Sequence, residues 1–106
     1  MLHLTGRPTI KDFQKYVEAL EKERGFDDQT AAQKSMLLGE EIGELFKAMR
    51  KHDPQLRMDE KSRIHDIADE LADVFIYLCA IANRYDVDLE KAFREKEEKN
   101  KARVWK

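Results

Sequence analysis

The sequence predicts an all-α protein, and three observations carry that expectation. Apolar residues recur at spacings of three and four along most of the chain, the period of a helix with one buried face. No stretch alternates with period two for long enough to argue a strand. Charged residues make up 40% of the 106 positions and glycine and proline together only six, which suits long solvated helices.

Four helices follow in order. Thr9 followed by Asp12 has capping-box form, and Ile10, Phe13, Tyr16, Val17 and Leu20 carry a stripe up to Gly25. A second helix starts near Asp28 or Thr30 and runs to about Lys51, before His52, Asp53 and Pro54 break it. A third starts near Asp59. Its apolar residues Ile64, Ile67, Leu71, Val74, Leu78, Ile81 and Tyr85 keep the seven-residue spacing of bundle packing. Asp88 caps the fourth, with Leu89 and Phe93 as its apolar start. With no repeat or low-complexity linker in view, residues 1–106 read as one domain, a four-helix bundle.

Charge and cysteine usage narrow the class. Net charge is −2, but the segment from Glu90 to Lys106 holds seven basic and four acidic residues and is a candidate anion-binding element. Cys79 is the sole cysteine, so an internal disulfide is impossible and a reducing compartment fits. The first residues lack an apolar signal region. The longest charge-free apolar stretch, Val74 to Ala82, falls well short of the roughly 20 residues that span a bilayer. A cytoplasmic protein is expected, with neither a membrane nor a nucleic acid as partner.

The segment Gly39-Glu40-Glu41-Ile42-Gly43-Glu44-Leu45 sets the functional question. Like charges three or four apart on a helix repel by about 0.2–0.5 kcal/mol, and each interior glycine costs about 1 kcal/mol relative to alanine. The apolar stripe of this helix centres on Leu38, Ile42, Leu45 and Met49. At about 100° per residue, Glu41 lies about 60° and Glu44 about 120° to one side of Leu38, with Lys34 on the same flank and Glu40 nearly opposite. The third helix repeats the device: Glu70 and Asp73 sit one turn apart beside its stripe, joined by Asp66 and Tyr77. If the two helices are antiparallel neighbours, Glu41, Glu44, Glu70 and Asp73 converge. Such acids repel unless a cation joins them, and an all-oxygen set without His or Cys suits Mg²⁺ or Mn²⁺. On the fourth helix the apolar stripe continues as Lys96, Asn100 and Arg103, groups suited to phosphate oxygens.

These motifs resemble those of the MazG-type all-α nucleoside triphosphate pyrophosphohydrolases, whose signature is EExxE followed by ExxD. Here they read Glu40 to Glu44 and Glu70 to Asp73, with 25 residues between, and the tail from Lys96 to Trp105 looks like the family's basic Lys/Asn/Arg segment. The resemblance covers residues 10 to 105. It implies Mg²⁺-dependent hydrolysis of (deoxy)nucleoside triphosphates to monophosphate and pyrophosphate, often as house-cleaning of the nucleotide pool. It also implies Glu41, Glu44, Glu70 and Asp73 as metal ligands, Glu41 and Glu40 as catalytic groups, and Lys34, Tyr77, Lys96, Asn100 and Arg103 as substrate contacts. Tyr77 would stack on base or ribose. Some relatives place tryptophans around the base, whereas the only tryptophan here is Trp105.

Other readings are weaker. His3, His52 and His65 have no partner at metal-ligand spacing, and a di-iron bundle would want Glu-x-x-His pairs that the chain lacks. A non-catalytic helical interaction module and a related phosphoribosyl-ATP pyrophosphohydrolase remain as alternatives. Ser35, Gly39 and Gly43 form a smooth strip on the flank opposite Glu41, and the stretch from Val74 to Ala82 is apolar nearly all round. Both features, and the family, point to a homodimer or homotetramer.

Overall fold

The computed structural model describes residues 2–56 and 64–103. The start of the third helix near Asp59, and Trp105, lie outside the described residues. Four helices run in order: α1 (Ile10–Arg24), α2 (Ala31–His52), α3 (Ile64–Arg84) and α4 (Leu89–Lys101). There is no strand among the described residues.

The helix starts are chemically specified. Thr9 and Asp12 form a reciprocal capping box, with the Asp12 N–H donating to Thr9 Oγ1 at 3.1 Å and the Thr9 N–H to Asp12 Oδ2 at 2.9 Å. Thr30 and Gln33 repeat it at the start of α2. Asp88 caps α4 by accepting from the Lys91 N–H at 3.1 Å. α1 stops at Gly25, whose φ of 76° is left-handed backbone that a side chain would strain.

Packing is built on α3. Val17 and Leu20 of α1 meet Cys79 and Ala80 of α3 in the core, where the small Cys79 and Ala80 let α1 approach closely. Phe13 and Phe75 meet edge to face beside them, with ring centroids 5.3 Å apart. Buried Gln14 ties this pair to the next turn. Its amide donates to the Val87 carbonyl at 2.8 Å, and its Oε1 accepts from the Leu89 N–H at 3.0 Å. α4 therefore rests on α1, while α2 lies along a different flank of α3.

One expectation changes here. The chain itself covers the seven-residue stripe of α3 only in part, with Ile67, Val74 and Ile81 half-buried. The buried positions are Cys79, Ala80 and Ala82, while Leu71, Leu78 and Tyr85 of the stripe remain 53%, 44% and 66% exposed. α3 is apolar on more than one side, and α1 and α2 occupy the sides that are left. Met36 and Phe46 on α2 and Phe93 on α4 are also exposed. The radius of gyration is 16.7 Å, against about 13 Å for a compact monomer of this length. The accessible surface is 8477 Å², against about 6,200 Å² for a monomer of this mass.

Candidate functional site

α2 and α3 run antiparallel: Lys34 and Leu37 share a cavity with Tyr77 and Ala80, while Lys47 and Lys51 share a cleft with Asp66 and Asp69. This pairing brings the two carboxylate motifs face to face. One oxygen each from Glu41, Glu70 and Asp73 lies within 4.8 Å of the others. Glu41 and Glu70 are half-buried and Asp73 is exposed. Crowding shows in the titration of Glu41. The adjacent Glu70 carboxyl, then burial, then the charge of Asp73 push it up to about 7. Glu41 Oε1 is buried without a hydrogen-bond partner.

Glu44 and Glu40 stand apart from this triad. Glu44 is exposed and lines the neighbouring cleft of about 200 Å³ together with Glu70, Asp66 and Lys47. Glu40 is exposed on the other flank of α2, beside Gln29 and Gln33, where the helical angle places it.

Beside Glu41 and Asp73 opens a cavity of about 410 Å³, walled by Phe26, Leu37, Ile76 and Tyr77. Burial, followed by the charges of Glu41, Asp73 and Glu40, holds the Tyr77 hydroxyl above its ordinary range. Lys34 lines this cavity but is only 4% exposed. Its ammonium lies 3.1 Å from Glu21 and sits over the rings of Phe26 and Tyr77, 5.2 Å and 5.3 Å from their centroids. Arg84 completes the group with two 2.8 Å hydrogen bonds to the Glu21 carboxylate. It also donates to the carbonyls of Gln29 at 2.8 Å and Phe26 at 3.1 Å. Burial alone would raise the Glu21 carboxyl, but the hydrogen bonds from Arg84 and Lys34 outweigh it and hold it below the ordinary range.

Lys96, Asn100 and Arg103 lie on or just after α4, and none of them lines the cavities at the carboxylates, which are built from α1, α2, α3 and their connections. Sequence reasoning missed Glu21, Phe26, Gln29 and Arg84. Arg84 carried a signal, since it lies seven residues after Tyr77 on the flank of Glu70 and Asp73. Phe26 and Gln29 carried none, because loop position follows no period.

Fold and site define an all-α protein with a carboxylate cluster that could hold a cation at the rim of an aromatic cavity. The chain belongs to the MazG nucleotide pyrophosphohydrolase family, whose domain profile matches residues 29–105. Comparison with curated proteins gave no match. The profile begins after α1, yet α1 supplies Glu21 and Leu20 to the cavity.

Proposed function

We propose that this protein is a divalent-cation-dependent nucleoside triphosphate pyrophosphohydrolase, releasing monophosphate and pyrophosphate in nucleotide-pool house-cleaning. Family membership supports the reaction class. The observation that carries the reading is the convergence of Glu41, Glu70 and Asp73 within 4.8 Å beside the cavity.

The donor set fits a small hard cation. Octahedral bonds of about 2.1 Å space ligand oxygens about 3–4 Å apart, a spacing that three oxygens within 4.8 Å of one another can adopt. The buried, unpartnered Glu41 Oε1 is the kind of atom that a bound cation satisfies. Oxygen donors alone favour Mg²⁺, with Mn²⁺ as substitute. Glu41, Glu70 and Asp73 would hold it, and Glu44, outside the triad, would contribute only by turning from the cleft it shares with Glu70. When bound, the cation supplies positive charge for the phosphate oxygens and lowers the pKa of water.

The protein's own groups do the rest. Base and sugar enter the aromatic cavity along Tyr77, which leaves the α-phosphate at the carboxylate rim. A water oxygen bonds to the α-phosphorus as the bond to the bridging oxygen of the β-phosphate breaks. Glu41 takes the water proton, and pyrophosphate leaves with the bonding electron pair. Glu40 contributes charge from the far flank of α2. Lys34 serves the substrate through the two rings it holds, since its ammonium is committed to Glu21.

Phosphate binding by Lys96, Asn100 and Arg103 requires a second copy of the chain, because α4 rests on α1 and lines neither cavity at the carboxylates. An oligomer also covers the open α3 stripe and the strip of Ser35, Gly39 and Gly43, whose glycines have no neighbouring atom within 4 Å of a built Cβ. The whole chain acts as one cytoplasmic domain. No helix among the described residues is long and apolar enough to cross a membrane.

Incubation of each triphosphate with Mg²⁺ in ¹⁸O-water tests the reaction. The reading requires one labelled oxygen in the monophosphate and unlabelled pyrophosphate. Diphosphate plus inorganic phosphate as first products would overturn it.

A further inference from the structure

Every residue to which Arg84 donates lines the aromatic cavity, and Arg84 itself does not. A guanidinium carries five N–H donors, and here each has an acceptor. Nε donates to the Gln29 carbonyl at 2.8 Å, and Nη1 to Glu21 Oε1 and the Ala80 carbonyl at 2.8 Å each. Nη2 donates to Glu21 Oε2 at 2.8 Å and to the Phe26 carbonyl at 3.1 Å. No donor is left for a ligand, so Arg84 can serve a substrate only through what it holds. Two of its acceptors, the carbonyls of Phe26 and Gln29, belong to the connection between α1 and α2 that brings Phe26 to the cavity wall. Packing alone does not hold that ring. Phe26 is 43% exposed and lies outside the core cluster of Val17, Leu20, Cys79 and Ala80. The Glu21 carboxylate that Arg84 grips also holds Lys34, whose ammonium lies over the rings of both Phe26 and Tyr77. The two rings come from different elements, a connection and α3, and this one cluster ties them together.

We propose that Arg84 is a positioning residue for the nucleobase, holding the wall of Phe26 and Tyr77 in place without touching the substrate. The inference rests on the nucleotide reading of the site and adds the residue that sets its base subsite. A base binds better against rings that are already ordered, because the entropy of ordering them is lost before it arrives. Lysine cannot take over the task. Its three donors on one nitrogen do not reproduce a planar fork that reaches a carboxylate and three carbonyls.

The test separates base from phosphates by binding, which does not depend on turnover. With saturating Mg²⁺, calorimetry compares non-hydrolysable α,β-methylene analogues of dATP, dCTP, dGTP and dUTP with inorganic tripolyphosphate, which presents the phosphates alone. The wild-type protein should bind at least one analogue more tightly than tripolyphosphate. Arg84→Lys should weaken that analogue by about tenfold or more and leave tripolyphosphate unchanged. Glu21→Gln, the milder change at the other end of the grip, should show the same selective loss even if Arg84→Lys fails to fold. Phe26→Leu alters only a side chain whose backbone carbonyl Arg84 binds, and should also weaken the analogue alone. In the double variant of Arg84→Lys and Phe26→Leu the losses should fall short of additive, since Arg84 acts through Phe26. Equal losses for analogue and tripolyphosphate, unchanged analogue binding in any single variant, or additive losses in the double variant would overturn the proposal. So would a wild type that binds no analogue better than tripolyphosphate. Selective loss of analogue binding, with natural triphosphates cleaved to diphosphate and inorganic phosphate, would support Arg84 as positioning residue and refute the pyrophosphohydrolase reading alone.

Discussion

Arg84 grips Glu21 through two hydrogen bonds of 2.8 Å, joining the end of α3 to α1 across 63 residues of sequence. Lys34 approaches the same carboxylate from α2 at 3.1 Å, so one buried anion serves two cations from two helices. Glu21 is 4% exposed. A charge at that depth is tolerated because its partners satisfy it, and removing it strands both of them.

Glu21→Ala should therefore cost about 3–5 kcal/mol, the usual cost of breaking a buried pair. Thermal denaturation should show the loss, together with weaker nucleotide binding as Phe26 and Gln29 come loose. The pH dependence has a definite sign. The Glu21 carboxyl is held below its ordinary value in the folded protein, so the unfolded chain binds more protons as the solution is acidified. Its contribution is present above the unfolded value of 4.5 and fades as pH falls through the folded one. Glu21→Gln should flatten that acid limb.

Glu41 predicts the opposite slope in metal-free protein. Its carboxyl is raised from 4.5 to about 7, so the folded chain holds the extra proton. The contribution of Glu41 is greatest below 4.5 and is lost as pH rises to about 7. Saturating Mg²⁺ should flatten this slope between about 4.5 and 7, and metal binding near pH 7 should release protons measurable by calorimetry in buffers of different ionisation enthalpy. Glu41→Gln should abolish both turnover and proton release while leaving the metal-free protein no less stable at pH 8. Retained wild-type activity would exclude Glu41 from the centre.

The second helix offers a test of assembly whose two outcomes point in opposite directions. A Cβ built on Gly39 meets no atom within 4 Å. In an isolated chain Gly39→Leu should then stabilise the helix by up to about 1 kcal/mol through propensity alone. If another copy packs on the strip, the same change overpacks the contact, costs about 1–3 kcal/mol and lowers the sedimenting mass. Leu78→Glu on the open face of α3 should lower the mass as well, since Leu78 is 44% exposed in one chain. A monomeric wild type would exclude both surfaces as interfaces between copies.

A phosphate site completed by a second copy of the chain predicts complementation. Glu41→Gln and Arg103→Ala should each lose turnover, but refolded as a mixture they should regain part of it, because some sites then combine intact acids with an intact Arg103. Mixtures no more active than the separate variants would place Arg103 outside the phosphate site or in the same chain as its carboxylates.

Local chemistry made much of this protein legible from its sequence. Thr9 with Asp12 and Asp88 with Lys91 cap helices through contacts within one turn, and Gly25 ends α1 by its own backbone freedom. Helical period alone put Glu41 on the flank that meets α3 and Glu40 in solvent. The two acidic motifs also carried the family, which the matched profile establishes. Which acids meet was settled by packing: Glu41, Glu70 and Asp73 converge, while Glu44 faces the next cleft. Packing likewise buried Lys34 against Glu21 and Arg84, left Leu71, Leu78 and Tyr85 of the α3 stripe open, and set α4 on α1 away from the carboxylates. The reason is range. A cap or a helical face depends on neighbours within about four residues, whereas the meeting of Glu21 with Arg84 depends on how three helices cross, a property of the summed contacts and of no local stretch.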